Sequence, residues 1–403
     1  MKQMAKRNGI IIFVAVFILT TLPSFAQNSV IISGQDPNRR VITTAVPFLN
    51  FAPDSRHSGM GDVGVATSPD ANSAHWNAGK LAFVDQSSGF SLSYSPWLGK
   101  LVNDMSLSYL TGFFKIDENS AFGFDLRYFD MGDIQLTDGK GNELGEFNPR
   151  DIAIGGTYSR KLSQNLGLGI SSRFIYSNLS GNISSLGGSE GKPGIGVGVD
   201  VGLYYQKEIF TGSKEGSFSW GMNLSNIGPK ITYNSAEDLD YIPTNFRLGG
   251  AYSVDLDQLN TLTFALDFNK LLVPTPPVYT MNEDGTLATD EDGNLIIEAG
   301  KDPNRSLISG MFGSFTDAPD GFSEELQEVM ISFGVEYSYN DKFALRTGYF
   351  YENPNKGGRR YFTVGAGFDI DKLGIDLSYL VPQTQNHPLA ETLRFTLLYT
   401  ISN

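Results

Sequence analysis

From Phe122 onward, apolar side chains fall on every second residue. Phe122, Phe124, Leu126 and Tyr128 are interleaved with Gly123, Asp125 and Arg127. The same period returns in Phe246, Leu248, Gly250 and Tyr252 against Arg247, Gly249, Ala251 and Ser253, and in Leu262, Phe264, Leu266 and Phe268 against Thr263, Ala265 and Asp267. The last segment sets Leu393, Phe395, Leu397, Tyr399 and Ile401 against Arg394, Thr396, Leu398 and Thr400. Successive strand residues face opposite sides, so each segment has one apolar face and one polar, small or charged face. The pattern predicts about fourteen strands, each roughly ten residues long, a length that suits a tilted strand crossing a bilayer. They lie near 88–97, 104–115, 120–131, 150–161, 165–179, 194–206, 217–227, 244–254, 260–269, 328–340, 342–351, 360–370, 372–381 and 392–402.

The links between these segments alternate in length. Short ones fall at Ile116–Asn119, Leu162–Gln164, Asp255–Leu259, Asp341 and Asp371. Longer ones fall near 132–149, 180–193, 228–243, 270–327, 352–359 and 382–391. The link Leu98–Asn103 is short for the long class, and 207–216 is long for a turn. Transmembrane barrels have short periplasmic turns and longer external loops, and a soluble sandwich has no reason to sort its links this way. The expectation is an all-β, antiparallel outer-membrane barrel of about fourteen strands over residues 87–403, with an external loop at 270–327 and both termini periplasmic. Tyr94, Trp97, Tyr158, Tyr176, Tyr205, Tyr339, Tyr351, Tyr379 and Tyr399 lie near segment ends, where aromatic girdles meet the lipid–water interfaces.

The polar face carries Asp125, Arg127, Arg173, Asp200, Arg247, Asp267, Glu336, Arg346, Asp376 and Arg394. An Arg on the lipid face at mid-depth costs ~2–4 kcal/mol, so these charges are expected in the lumen, as an ion-pair network. Eight strands make a barrel that side chains can fill, and sixteen or more leave a channel. About fourteen lie between, so the lumen needs a filler. Residues 27–86 precede the first strand, lack strand alternation and include the small-residue run Ser58-Gly59-Met60-Gly61-Asp62-Val63-Gly64-Val65-Ala66. They are expected to fold back as a plug, with Pro47, Phe48, Arg56, Gly59, Met60, Gly61, Asp62, Trp76 and Asn77 as its packing residues.

The N-terminus reads as a secretory signal over 1–26. Lys2, Lys6 and Arg7 precede an apolar run from Ile10 to Leu19, and Ser24-Phe25-Ala26 supplies the small residues of a cleavage site, so the mature chain is expected to begin at Gln27. Composition agrees with an exported barrel: 45 Gly, 28 Phe, 18 Tyr and no Cys. Three of the 30 basic residues lie in the signal, which leaves 27 against 44 acidic ones. That balance argues against a nucleic-acid partner, which would need surplus Lys and Arg. The three histidines, His57, His75 and His387, belong to no HExxH, GxSxG or P-loop pattern. No catalytic residue, metal or cofactor is expected, and the protein is not expected to be an enzyme. The tract Asp290-Glu291-Asp292-Gly293-Asn294 has Leu295 where a calcium-binding EF-hand loop needs Gly, so it reads as a hairpin turn. Long loops are usually functional. In 270–327 the apolar residues Leu271, Leu272, Val273, Pro274, Met311, Phe312, Phe315 and Phe322 are candidates for a protein contact.

Several stretches look like a known family. They are Thr44-Ala45-Val46-Pro47-Phe48-Leu49, Ala52-Pro53-Asp54-Ser55-Arg56, Gly59–Ala66, His75-Trp76-Asn77, Tyr94-Ser95-Pro96-Trp97-Leu98, Arg127-Tyr128-Phe129, Arg173–Asn178 and Leu271–Pro277. Together they resemble the PorV outer-membrane proteins of the Bacteroidetes type IX secretion system, within the wider FadL family of long-chain fatty-acid transporters. The resemblance covers nearly the whole mature chain. The Asn-Pro-Ala of the FadL hatch is matched here by Asn77-Ala78-Gly79, without the Pro. The resemblance implies a fourteen-stranded barrel with an N-terminal hatch, sitting among outer-membrane lipids. It also implies a shuttle role: receiving substrates with a C-terminal signal domain from the SprA/Sov translocon and passing them to the cell-surface attachment and sortase complex. A FadL-like transporter of long-chain fatty acids or other hydrophobic compounds is the alternative, and a structural porin is a third possibility.

Overall fold

The computed structural model describes residues 39–401, apart from 100–103, 138–139, 180–190, 213, 234–238, 285 and 384–391. The signal at 1–26, residues 27–38 of the expected plug and His387 lie outside the described residues.

Fourteen strands form one closed antiparallel barrel in simple up-and-down order. They are β1 (Ser88–Pro96), β2 (Met105–Asp117), β3 (Ser120–Met131), β4 (Arg150–Lys161), β5 (Leu166–Asn178), β6 (Gly194–Thr211) and β7 (Lys214–Ile227). There follow β8 (Asn245–Asp255), β9 (Asn260–Leu271), β10 (Met330–Tyr339), β11 (Phe343–Tyr351), β12 (Arg360–Ile370), β13 (Leu373–Pro382) and β14 (Leu393–Ile401). The seam closes where β1 pairs with β14, from Ser88 opposite Ile401 to Tyr94 opposite Phe395. Closure leaves no edge strand along the wall at membrane depth, as hydrocarbon requires.

The period-two reading holds along the wall. In β3, Asp125 and Arg127 are buried, whereas Phe122 is exposed and Phe124, Leu126 and Tyr128 are partly so. One stretch departs from the expected strands. The link 207–216 is not a loop, because β6 and β7 stay paired from Gln206 opposite Ser219 to Thr211 opposite Lys214. They turn at Gly212, whose φ of 68° favours glycine. Alternation weakens there because this part of the hairpin stands beyond the wall, where no lipid demands an apolar outer face. In the turn between β10 and β11, Asn340 and Asp341 both have positive φ, the mirror-image geometry that matches strand twist.

One end of the barrel carries the short turns together with Ser88 and Ile401; the other carries the long links. The link 132–149 contains a small hairpin, Ile134–Thr137 with Glu143–Phe147. The link after β9 contains a short hairpin, Val278–Tyr279 with Ile297–Ala299, and two short helices, α3 (Leu307–Gly313) and α4 (Phe322–Gln327). The acidic tract is a turn: Asp290 Oδ1 accepts from Asp292 N at 3.0 Å and Asn294 N at 2.8 Å.

Residues 44–84 pack against the inward face of this wall. The segment includes α1 (Ser55–Ser58) and α2 (Ser73–Trp76), flanked by 3-10 turns at Pro47–Asn50 and Ala78–Phe83. Asp54 caps α1 by accepting from His57 N at 3.1 Å. Wall glycines let its backbone come close. A Cβ on Gly348 would sit 2.5 Å from Met60 O, and one on Gly169 would sit 2.6 Å from Gly79 N. Gly61 turns away from the helix at φ 73° and donates its N–H to Thr363 Oγ1 at 2.8 Å.

A side chain at Gly348 collides with backbone, so Gly348→Leu should cost ~1–3 kcal/mol of luminal packing. The fourteen-stranded wall should survive, seen as unchanged mobility of the unheated protein on gels. Residues 44–84 should become protease-sensitive, and planar bilayers should record conductance where the parent is silent. A silent, protease-resistant Gly348→Leu protein would show that the close approach does not hold the segment.

Candidate functional site at the long-link end of the barrel

The ten charged residues expected in the lumen are all buried. They form one chain and several separate contacts rather than one network. Arg56 of α1 bridges Asp70 (2.9 Å) and Glu336 (3.1 Å), and Glu336 in turn holds Arg346 (2.6 Å), which reaches Asp376 (2.5 Å). On the opposite wall Arg173 pairs with Asp200 at 2.6 Å. Arg127 lies 3.5 Å from Asp125 and donates to Leu49 O at 2.6 Å. Asp267 accepts the N–H groups of Gly64 (2.7 Å) and Val65 (3.0 Å), Arg247 stacks over Trp76, and Arg394 reaches Asp62 at 3.4 Å. Most of these contacts join the wall to residues 44–84. Removing one partner of such a buried pair leaves a lone charge at a cost of ~3–5 kcal/mol.

Of the expected plug residues, Phe48, Gly59, Met60, Gly61, Trp76 and Asn77 are buried. Phe48 stacks parallel to Phe129, and Asn77 Nδ2 donates to Val65 O and to Leu203 O on the wall. Arg56 and Asp62 are partly buried, in the pairs above. Pro47 differs: it is exposed at the start of its 3-10 turn, where its ring fixes the local backbone and covers nothing. Trp97 is no girdle residue. It is buried and stacks on Phe51 at 4.3 Å, because it continues the inward face of Ser91, Ser93 and Ser95 while its N–H still donates to Met105 O.

A chain of polar groups missed in the sequence runs through the segment itself. Asp54 accepts from Trp76 Nε1 and from His57 Nδ1, both at 2.7 Å. His57 Nε2 lies 3.0 Å from Thr67 Oγ1, which also takes a hydrogen bond from Lys80 Nζ at 2.9 Å. All five side chains are wholly buried. The arrangement pins α1, α2 and the following 3-10 turn to one another. Its only trace in the sequence is that a segment expected to fill an interior carries Asp54, His57, Trp76 and Lys80.

The long-link end holds a second ion cluster. Arg40 donates to both Glu324 oxygens at 2.8 Å and also pairs with Asp320. Lys356, from the link after β11, reaches Glu324 (2.6 Å) and Glu328 (2.8 Å). Lys270, at the end of β9, reaches Glu325 (2.9 Å) and Glu328 (2.5 Å). Glu325 also accepts from the N–H groups of Asp317 and Ala318. Helix α4 is thus clamped to three separate stretches of chain. Burial pushes the Glu324 carboxyl up, but the hydrogen bonds from Arg40 and Lys356 outweigh it and hold the group at about 2, below its ordinary 4.5.

This clamp divides the apolar residues expected to bind partners. Leu272, Val273, Pro274 and Met311 are buried, and Leu271 packs beside Met330, Phe350, Tyr361 and Leu380. They hold the link to the rim, so they offer a partner nothing. The outward residues are Phe312 (72% exposed), Phe315 (44%) and Phe322 (76%), with Ile308 and Leu326, which the sequence reading overlooked. Ile308 and Phe312 share one face of α3, and Phe322 and Leu326 one face of α4, both at i, i+4 spacing.

The closed wall and its luminal charges define an outer-membrane β-barrel that carries its own N-terminal chain inside. The chain belongs to the PorV family: the model of "Type IX secretion system protein PorV" matches residues 34–278. No curated protein matches the sequence. Among solved structures, it is similar to the toluene transporter TbuX of Ralstonia pickettii, with 13% identity, 87% of this chain and 98% of that one covered, and a TM-score of 0.46. It is also similar to the toluene transporter TodX of Pseudomonas putida, with 13% identity, 86% and 97% covered, and a TM-score of 0.48.

Glu324 is depressed in the folded protein, so its contribution is full above pH 4.5 and is lost as pH falls from there toward about 2. Limited proteolysis of the link after β9 should therefore be slow at neutral pH and accelerate across that window. Lys356→Met should make cleavage roughly tenfold faster at neutral pH, because two carboxylates lose a buried partner. Equal cleavage of parent and variant at every pH would remove the clamp.

Proposed function

We propose that this protein is the outer-membrane shuttle component of type IX secretion. It receives substrates through their C-terminal signal domains from the SprA/Sov translocon and delivers them to the attachment and sortase complex. Membership in the PorV family carries the reading. The exposed apolar pairs of α3 and α4, the latter held out by a buried ion cluster, support it as a docking face. In the proposed orientation the long links face the cell exterior and the short turns the periplasm. The last strand then ends, at Ile401, on the periplasmic side. From Arg40, at the outer rim, the chain runs down through the lumen to β1.

The role proposed is non-catalytic and needs no conducting pore. Residues 44–84 contact wall strands on every side of the lumen, from Gly59 beside Gly365 to Gly79 beside Gly202 and Met60 beside Gly334. That filling favours a shuttle over a FadL-like path for hydrophobic compounds.

Deleting the whole link would also remove Glu324, Glu325 and Glu328, so surface substitutions make the cleaner test. The combination Ile308→Ser, Phe312→Ser, Phe322→Ser and Leu326→Ser should leave the barrel folded. It should lower co-purification with translocon or substrate by roughly tenfold or more, as expected when exposed aromatic anchors are lost. Full co-purification of the folded variant would refute the docking face. Normal secretion together with loss of fatty-acid uptake in a deletion strain would refute the shuttle reading itself.

A further inference from the structure

At the short-turn end, the β6–β7 hairpin outruns its neighbour. The pairing of β5 with β6 ends at Leu166 opposite Tyr205, followed by one last contact in which Gln206 N–H donates to Asn165 O at 2.9 Å. Asn165 Nδ2 returns a bond to Gln206 O at 2.7 Å. Both backbone groups of Gln206 therefore point toward β5. In an antiparallel strand alternate residues direct both groups to the same side, and the β6–β7 register runs from Gln206 to Thr211 without a shift. The N–H and C=O groups of Glu208 and Phe210 accordingly point to that same side, where β5 has already ended. The wall is closed at membrane depth, but its rim keeps a short free edge.

The side chains at this edge are also arranged. Glu208 and Phe210 share the face of Ser219 Oγ, which bonds Ala66 O of the luminal segment, so they point into the mouth of the barrel. There they line a cavity of about 380 Å³ together with Glu215, Ser217, Ser253 and Asp255. Phe210 is 75% exposed. Three carboxylates and one phenyl ring face the space, and no basic residue lines it. Lys207 and Lys214 alternate onto the other face of the hairpin.

We propose that this rim is a docking site for an extended, basic segment of a second polypeptide, which adds as a strand to the open edge of β6 between Gln206 and Thr211. Backbone groups of Glu208 and Phe210 bind its main chain, and side chains entering the mouth meet Phe210 and the carboxylates of Glu208, Glu215 and Asp255. Strand addition gives affinity through the main chain and specificity through alternate side chains. Unprotected edges are otherwise a liability for self-pairing. That the site faces the periplasm rests on the orientation proposed above; that it binds such a strand does not.

The test uses the full-length protein in nanodiscs and a fluorescent peptide of alternating Lys and Val, with an alternating Glu–Val peptide as its counterpart. Fluorescence anisotropy should show the Lys–Val peptide binding more tightly than the Glu–Val peptide by roughly tenfold. Glu208→Pro should weaken it by a similar factor, because it removes a donor that makes no ladder bond and so leaves the barrel intact, checked by unheated gel mobility. Glu208→Lys combined with Glu215→Lys should reverse the peptide preference. Unchanged binding to Glu208→Pro would overturn the proposal and locate the attraction in bulk negative charge. So would absence of binding to the parent, or a parent dimer that Glu208→Pro abolishes, since the edge would then serve a second copy of this chain.

Discussion

A ladder of fourteen strands that closes on itself satisfies every wall backbone group facing lipid, and in doing so it encloses a space that strand side chains cannot fill. The rest of the molecule answers to that space. Chain preceding β1 occupies it, and wall glycines such as Gly348 and Gly169 mark where backbone meets backbone. The buried charges then become explicable. Arg127, Arg247, Asp267 and Arg394 are inward because hydrocarbon excludes them, and they stay inward because Leu49 O, Trp76, the N–H groups of Gly64 and Val65, and Asp62 meet them there.

With the lumen occupied, the surfaces proposed for recognition lie at the two ends. At the long-link end a buried cluster of Arg40, Lys270 and Lys356 against Glu324, Glu325 and Glu328 fixes α4. That rigidity lets Phe322 and Leu326 stay exposed without collapsing onto the rim. At the short-turn end the wall is less complete, and the β6–β7 hairpin carries open backbone groups over an acidic mouth. A filled barrel with two structured ends suits a protein that works by contact, in keeping with its PorV family membership.

What the sequence determined by itself is the wall. Lipid imposes a period of two on each segment, so the strand faces, their number and the inward charges were legible from single residues such as Asp125 and Arg127 between Phe124 and Tyr128. Link lengths gave the two ends for the same local reason. Where lipid stops, that rule stops, and the reading of 207–216 as a link failed because Lys207–Phe210 need no apolar outer face. Only the tertiary structure decided which apolar residues of the link after β9 are anchors and which are surface. Val273 and Met311 look as available as Phe312 and Phe322 in the sequence, yet the first two are buried and the last two exposed. The same holds for the Arg40–Glu324 clamp, whose partners lie 284 residues apart. A non-local contact leaves no period in the sequence, so only the folded chain could reveal it.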